Sequence, residues 1–423
     1  MNEILESREN RHIRIQELQE TFRLSLISIK ANIPGDHKNI SEAYLLVRLF
    51  FNELKDKISI KYYEYKESMD GPYYLIVANK ENIENIKSLL VELEDHHPLG
   101  RFIDLDYYIE SKKSVSRTEL GIKNRVCYLC EQDARICSRN QTHTTKELTN
   151  HIKKSVFNYL LHLITDYAEK AMLYELNIEH KFGLVTKTTK GSHQDMTYEL
   201  MIIAQKVIIP YFGRMFEMGY YSNDIINLFN EARELGIIAE EDMLKATNGI
   251  NCYKGLIFVL GLVMLSTGYL ISHHQQFDLV FKNIQNMTND LLREFDRDPI
   301  TFGEQAFHTH QVKGARGEAY LGFPTIHLAL VNLEYKDSLS DSSLRGLLKM
   351  IVLSTDDTVL LKRAGSLERY MMIKRKLAQV DTDNLDEVIE FTKYCIDENI
   401  SFGGAADLLV STIFLYLVKK KLY

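Results

Sequence analysis

Between Ser25 and Ile109 the apolar pattern changes period in a fixed order, and that order limits the folds open to the first part of the chain. Ser25 to Ile33 alternates as a strand and stops at Pro34-Gly35, and Ile40 to Leu54 has helical spacing. Ile58 to Lys66 and Tyr73 to Ala78 alternate again across a turn at Ser68–Pro72. Asn82 to Leu93 is helical with Asn82 as its N-cap, and Phe102 to Ile109 is a last strand. The order β-α-β-β-α-β predicts an α+β, ferredoxin-like domain, a split βαβ with both helices on one face of an antiparallel sheet. Thr144-Thr145-Lys146-Glu147 then reads as a capping box opening a helix that runs to Leu176. From there to Tyr423 the segments are helical, so a larger all-α domain follows. The expected domains are residues 1–145 and 146–423.

A chain of 423 residues exceeds a single core, which agrees with two domains. Its net charge of −7 argues against a nucleic-acid partner, although small anionic nucleotides need only a local basic pocket. The first residues, Met1 to Arg8, lack the apolar core of a secretion signal. The uncharged run Gly255 to Leu270 is shorter than the roughly 20 residues that cross a bilayer, so it is expected to be a buried core helix and no membrane partner is expected. Five cysteines, an odd number, fit a reducing cytoplasm.

In the last strand Asp104 and Asp106 lie two apart, so they project from one face, with Phe102 on the same side. Two carboxylates there suit Mg²⁺ carrying a phosphate substrate, with His97 and Arg101 near the same oxygens; the alternative is a solvated acidic edge strand. The loop Asn32–Asn39 offers backbone amides and Lys38 to a phosphate, and Arg117 and Arg125 add cations beyond the strand. Cys127, Cys130, Cys137 and His143 have the composition of a Cys₃His zinc site; the alternative is a small cluster of buried thiols.

His97-Pro98-Leu99-Gly100-Arg101, the Asp104 and Asp106 pair, Ser116-Arg117, and Cys127, Cys130, Cys137, Arg139 and His143 resemble the apo-citrate lyase phosphoribosyl-dephospho-CoA transferase family. The likeness spans Ser25 to Ile152. It implies attachment of a phosphoribosyl-dephospho-CoA group to a serine of the citrate lyase acyl carrier protein, the gamma subunit, with release of pyrophosphate. From the residues themselves, His97, Asp104 and Asp106 are the expected catalytic groups and Arg101 and Arg117 the expected phosphate contacts.

Glycine-marked loops punctuate the helical part, each carrying charge: Lys181-Phe182-Gly183-Leu184-Val185 ahead of Gly191-Ser192-His193-Gln194-Asp195-Met196, Thr247–Gly255 with Lys254, Gly314–Ala319 with Arg316 and Glu318, Asp356-Asp357-Thr358 with Arg363, and Ser401-Phe402-Gly403-Gly404-Ala405-Ala406-Asp407. Amides at Gly191, Gly403 and Gly404, with Lys254 and Arg316, suit phosphates, while Glu318 and Asp357 suit Mg²⁺. Any one of these segments alone reads as a helix cap or an ion pair, so their recurrence carries the argument. Together they resemble triphosphoribosyl-dephospho-CoA synthase over Leu176 to Leu417. The resemblance implies that ATP and 3′-dephospho-CoA yield 2′-(5″-triphosphoribosyl)-3′-dephospho-CoA and adenine. Cleaving the ribose–adenine bond builds positive charge on the sugar, and the 2′-hydroxyl must lose a proton; Asp195 or Asp407 is the expected base, with His193 assisting. The chain departs from that family's pattern where Phe182 and Phe402 replace proline and Tyr253 replaces histidine, and also at Thr186, Thr189, Val359 and Ala364. A bifunctional transferase is the expectation; a transferase-only enzyme and a non-catalytic carrier-docking module are the alternatives.

Overall fold

The computed structural model describes residues 2–79, 83–109, 125–130, 132–296, 299 and 302–423. The chain forms two compact units, residues 1–160 with 420–423, and residues 161–419.

The first unit contains α1 (Asn2–Phe22), β1 (Leu26–Ala31), α2 (Ser41–Lys55), β2 (Ile60–Lys66), β3 (Tyr73–Ala78), α3 (Ile83–His96), β4 (Ile103–Tyr108), α4 (Ala134–Arg139) and the start of α5 (Thr145–Asn177). Its strands form one antiparallel sheet in the order β2-β3-β1-β4. Alternation along β1 sends Ile27 and Ile29 to one face and Leu26, Ser28 and Lys30 to the other. On the Ile29 face, Phe51 of α2 stacks on Tyr74, the residue opposite Ile29, at 4.2 Å. The Leu26 face is covered by α1, whose Ile15 and Leu18 pack on Leu26, Tyr73, Leu75 and Val77. Helix α1 lay outside the sequence expectation because its apolar stripe is narrow amid many charges.

Strand β4 begins at Ile103, and Phe102 instead ends a 3₁₀ turn, Gly100–Phe102, where its ring meets Tyr128 edge-on at 5.3 Å. The expectation that Phe102 shares the strand face of the aspartates is thereby corrected. Gly100 permits the turn, since a Cβ there would sit 2.3 Å from the Leu93 carbonyl oxygen. The capping box forms as expected: the Thr144 amide donates to Glu147 at 2.8 Å and the Glu147 amide donates to Thr144 Oγ1 at 3.2 Å.

After α5 the second unit continues through α6 (Tyr198–Tyr221), α7 (Leu228–Ala246), α8 (Lys254–Ser272), α9 (Leu279–Met287), α10 (Phe302–His310) and α11 (Gly314–Tyr320). It ends with α12 (Pro324–Lys336), α13 (Asp341–Ser354), α14 (Thr358–Ala364), α15 (Leu367–Gln379), α16 (Leu385–Asp397) and α17 (Gly403–Leu422). No strand occurs among its described residues. Helix α8 is apolar on every side and buried over most of its length, as a central core helix should be. Glycines let it meet α6 backbone to backbone: a Cβ on Gly219 would lie 2.0 Å from Leu265 O, and one on Gly268 would lie 2.2 Å from Phe216 O. The close pairing of α6 and α8 fixes the start of α8, where the second site forms.

Candidate active sites

On β4, Asp104 and Asp106 stand opposite Lys30 and Ser28 and therefore share the Leu26 face. Asp104 accepts a hydrogen bond from Arg125 Nη1 at 2.8 Å. Desolvation, and then the neighbouring Asp104 carboxylate, raise the pKa of Asp106 above its ordinary value. On the same face three cations converge on buried Asp70: Arg8 Nε at 3.0 Å, Arg11 Nη1 at 3.2 Å and the Lys30 ammonium. Burial pushes the Asp70 carboxyl up, but Lys30 and the arginines outweigh it and hold the carboxyl below its usual range. Lys38 donates to the Ile33 carbonyl, and desolvation lowers its pKa, with Asp70, Arg8, Asp36 and Asp104 all within electrostatic reach. Arg8, Arg11, Lys30 and nearby Lys38 gather cationic donors of the kind that bind an oligophosphate, with Asp104 and Asp106 on the same face.

Arg8, Arg11 and Lys30 were absent from the sequence-derived site because they come from α1 and from the middle of β1. His97 was included and is elsewhere. Its ring packs against Phe50 of α2 at 4.7 Å and Tyr159 at 5.3 Å, on the far side of the sheet from Asp104. Burial there lowers its pKa to about 4, and its Nδ1 accepts from the Leu99 amide at 3.1 Å, so it closes the turn before β4. Arg101 donates to the Val126 carbonyl and ties the same turn to the cysteine segment. Arg117 lies outside the described residues.

Cys127, Cys130, Cys137 and His143 place their ligand atoms within 4.8 Å of one another. The Cys130 and Cys137 sulfurs are 3.9 Å apart, close to the roughly 3.8 Å edge of a tetrahedron with zinc–sulfur bonds of about 2.3 Å. His143 Nε2 is buried and has no hydrogen-bond partner. A buried imidazole nitrogen without a partner is costly unless something else binds it, and the donor set fits zinc.

In the second unit a cleft of about 780 Å³ opens where the loops before α6, α8, α14 and α17 meet. It is lined by His193, Asp195, Lys254, Gly403 and Asp407 of the expected set, together with Glu175, Lys181, Thr358, Lys362, Arg363 and Ser401. Asp407 rests on the first turn of α8, with Oδ2 only 2.0 Å from where a Cβ on Gly255 would be. Desolvation, then the nearby carboxylates of Asp357 and Glu175, push its pKa well above the ordinary value. Glu175 is itself paired with Lys181, whose Nζ donates at 2.7 Å, and both are buried. Arg363 Nη2 faces His193 Nδ1 at 3.3 Å, while Nε2 of the same ring lies 3.1 Å from Ser401 Oγ. A guanidinium can only donate, so Nδ1 accepts and Nε2 carries the proton. Burial and then Arg363 lower the pKa of His193, which favours this neutral tautomer. Lys254 pairs with Glu240 at 2.5 Å on the rim of the cleft.

Four expected residues are taken up by the scaffold. Asp357 is 3% exposed and caps two helices, accepting from the Val359 and Leu360 amides at 2.8 and 3.0 Å and from the Ala405 amide at 3.1 Å. Glu318 accepts from Thr325 Oγ1 at 2.6 Å and from the Thr325 amide at 3.2 Å, and so caps α12. Neither of these carboxylates, expected to hold Mg²⁺, lines the cleft: amides of α14 and α17 meet Asp357, and Glu318 is met by the Thr325 amide and by the Thr325 and Thr355 hydroxyls. Gly404 serves the first of these caps, because a Cβ would press on Asp357 at 3.0 Å. Gly191 has φ +59 and packs on Gly183, where a Cβ would be 2.2 Å from the carbonyl oxygen. Its function is to fold back the loop that presents His193. Arg316 pairs with Glu304 at 2.8 Å and lines a second, neighbouring slot. Phe182, in the position of a family proline, has φ +58 and donates its amide to Thr392 Oγ1 at 3.2 Å; proline can do neither.

A sheet unit bearing a cation cluster, a helical unit whose cleft is lined by both acids and cations, and a family match for each unit make this a two-part transferase. Residues 1–159 match the family apo-citrate lyase phosphoribosyl-dephospho-CoA transferase, and residues 162–423 match ATP:dephospho-CoA triphosphoribosyl transferase. The chain is 31% identical to Protein CitXG of Leuconostoc mesenteroides subsp. cremoris, over 98% of this chain and 96% of that one. It is 29% identical to Protein CitXG of Haemophilus influenzae, over 97% and 94% of the two chains. A probable 2-(5″-triphosphoribosyl)-3′-dephosphocoenzyme-A synthase of Lactiplantibacillus plantarum is 33% identical over 60% of this chain and 96% of its own length. The chain therefore belongs to the CitXG family, in which the two transferase families stand in tandem.

Proposed function

We propose that this chain makes and attaches the prosthetic group of citrate lyase. The helical unit joins the 2′-hydroxyl of 3′-dephospho-CoA to C1′ of the ATP ribose, the C1′–N9 bond breaks, and adenine leaves with a proton. The sheet unit then brings a serine hydroxyl of the citrate lyase acyl carrier protein to the phosphorus next to that ribose, expelling pyrophosphate. The observation that carries this reading is the match of both transferase families in tandem over nearly the whole chain.

Within the cleft Asp407 is the general base. A carboxylate whose pKa is raised is a stronger proton acceptor than an ordinary one, and while ionised it would stabilise a ribose becoming cationic in the cleft that it lines. His193, held neutral by Arg363 and oriented toward Ser401, positions the acceptor hydroxyl, while Lys254 and Lys362 at the cleft wall meet the triphosphate. In the sheet unit Arg8, Arg11, Lys30 and Lys38 receive the departing pyrophosphate. Magnesium brought by the nucleotides would be met by Asp195 in one unit and by Asp104 and Asp106 in the other, where it adds charge neutralisation. Zinc held by Cys127, Cys130, Cys137 and His143 would fix the segment that carries Arg125. The strand order β2-β3-β1-β4 with antiparallel neighbours supports a ferredoxin-like, split βαβ reading of the sheet unit, to which α1 is added. Five free thiols suit work in a reducing cytoplasm.

Adenine release on incubation with ATP, 3′-dephospho-CoA and Mg²⁺ tests the synthase half. Stoichiometric adenine and triphosphoribosyl-dephospho-CoA are expected, and Asp407→Asn should remove the product while ATP still binds; ADP in place of adenine would overturn the reading.

A further inference from the structure

We propose that the slot between α7 and α8 takes the pantetheine arm of the acceptor nucleotide, an inference that rests on the synthase reading above. The slot has a volume of about 410 Å³ and adjoins the cleft that holds Asp407, since Lys254, Gly255, Gly303 and Thr358 line both. Its walls are largely apolar and include Leu262 and the rings of Phe229 and Phe258, which meet edge-on at 6.0 Å. Arg233, Lys313 and Arg316 lie among the lining residues, so positive charge borders an apolar interior.

A ligand that occupies cleft and slot together must combine a nucleoside, an anionic middle and an elongated uncharged end. The acceptor has this form: its diphosphate carries pantetheine, a chain of methylenes and amides. ATP does not, because beyond its ribose lies only a triphosphate, which an apolar interior would reject. With the acceptor's ribose beside Asp407, its diphosphate can meet Lys313 and Arg316, which line the slot, and its arm enters the apolar interior. The arm then contributes binding energy away from the reacting atoms and holds the 2′-hydroxyl at the base.

Gly236 of α7 lines the slot, and glycine in the middle of a helix is unfavourable without a local reason. A Cβ there would meet only Met215 Cε, at 4.0 Å, so a side chain can be added without backbone strain and would grow into the space reserved here for the arm. By contrast a Cβ on Gly261 would press on Met215 Sδ at 2.8 Å, which makes Gly261 the poorer test position.

The test compares wild type, Gly236→Ala and Gly236→Leu in the adenine-release assay, with ADP as an acceptor analogue that lacks the arm. The expected result is a rise of about tenfold or more in KM for 3′-dephospho-CoA in Gly236→Leu and a smaller rise in Gly236→Ala, with KM for ATP and Ki for ADP unchanged in both. A raised KM for ATP would place the purine in the slot and overturn the proposal, as would an unchanged KM for the acceptor. If wild type released no adenine, the synthase reading would fall. Calorimetric affinities for 3′-dephospho-CoA and ADP would still decide the slot: the proposal requires Gly236→Leu to abolish the preference for the former and fails if the preference persists.

Discussion

Asp407 is the residue on which the synthase chemistry turns, and its environment makes two predictions of opposite sign. A carboxyl whose folded pKa is raised binds its proton more tightly in the native state than in the unfolded chain. The ionised form therefore costs stability, and the cost appears as pH rises above the ordinary carboxyl range. Asp407→Asn should lower the adenine-release rate by about 10²- to 10⁴-fold, the usual size of a general-base contribution, while its Tm at pH 7.5 stays level or rises. A fall in Tm together with activity would mean that Asp407 is structural. His97 gives a second pH signature. Its pKa falls from 6.5 to about 4 on folding, so the unfolded chain binds the extra proton and stability drops as pH falls from 6.5 toward 4. His97→Gln should flatten that segment of a Tm-against-pH curve, and an unchanged curve would contradict the buried placement. At this scale the sequence supplied His193, Asp195, Lys254 and Asp407 because glycine-marked loops announced them. Arg363 was named beside Asp357 but given no role, and Glu175 was missed, since in isolation it is an ordinary helix charge and only the fold brings it to the cleft.

At the scale of elements, carboxylates that resemble metal ligands in sequence are helix caps in the structure. Asp357 alone receives three amides from α14 and α17. Asp357→Ala should destabilise the second unit by about 1–3 kcal/mol, measured as a shift in denaturant midpoint, with Asp357→Asn recovering part of the loss. An alanine variant as stable as wild type would contradict the double cap. The strands and helices from β1 to β4 were readable to within a few residues because their periods differ sharply. Helix α1 was not: Ile15, Leu18 and Phe22 make a thin stripe, and its burial depends on a sheet face that no local pattern reveals. Removing residues 2–22 should expose that face and eliminate Arg8 and Arg11, so carrier labelling should be lost. Zinc analysis belongs here too. About one zinc per chain is expected, falling to near zero in Cys130→Ser; a metal-free wild type with full labelling activity would contradict the site.

For the whole molecule, the account joins two transferases through one intermediate. Each half can be read separately, since residues 1–159 and 162–423 match different families and the two units divide at residue 160. The sequence conveyed this division of labour through its motifs, but it could not convey which charges stand together, because Asp70, Lys30 and Arg8 are far apart along the chain and adjacent only across the sheet. The most direct measurement follows phosphorus atoms through both steps. Enzyme, 3′-dephospho-CoA, Mg²⁺ and apo acyl carrier protein are incubated with ATP labelled at either the α- or the γ-phosphate. The account predicts that α-label enters the carrier one for one with adenine released, while γ-label leaves entirely as pyrophosphate. Carrier that takes up γ-label, or takes up α-label without adenine, would contradict it.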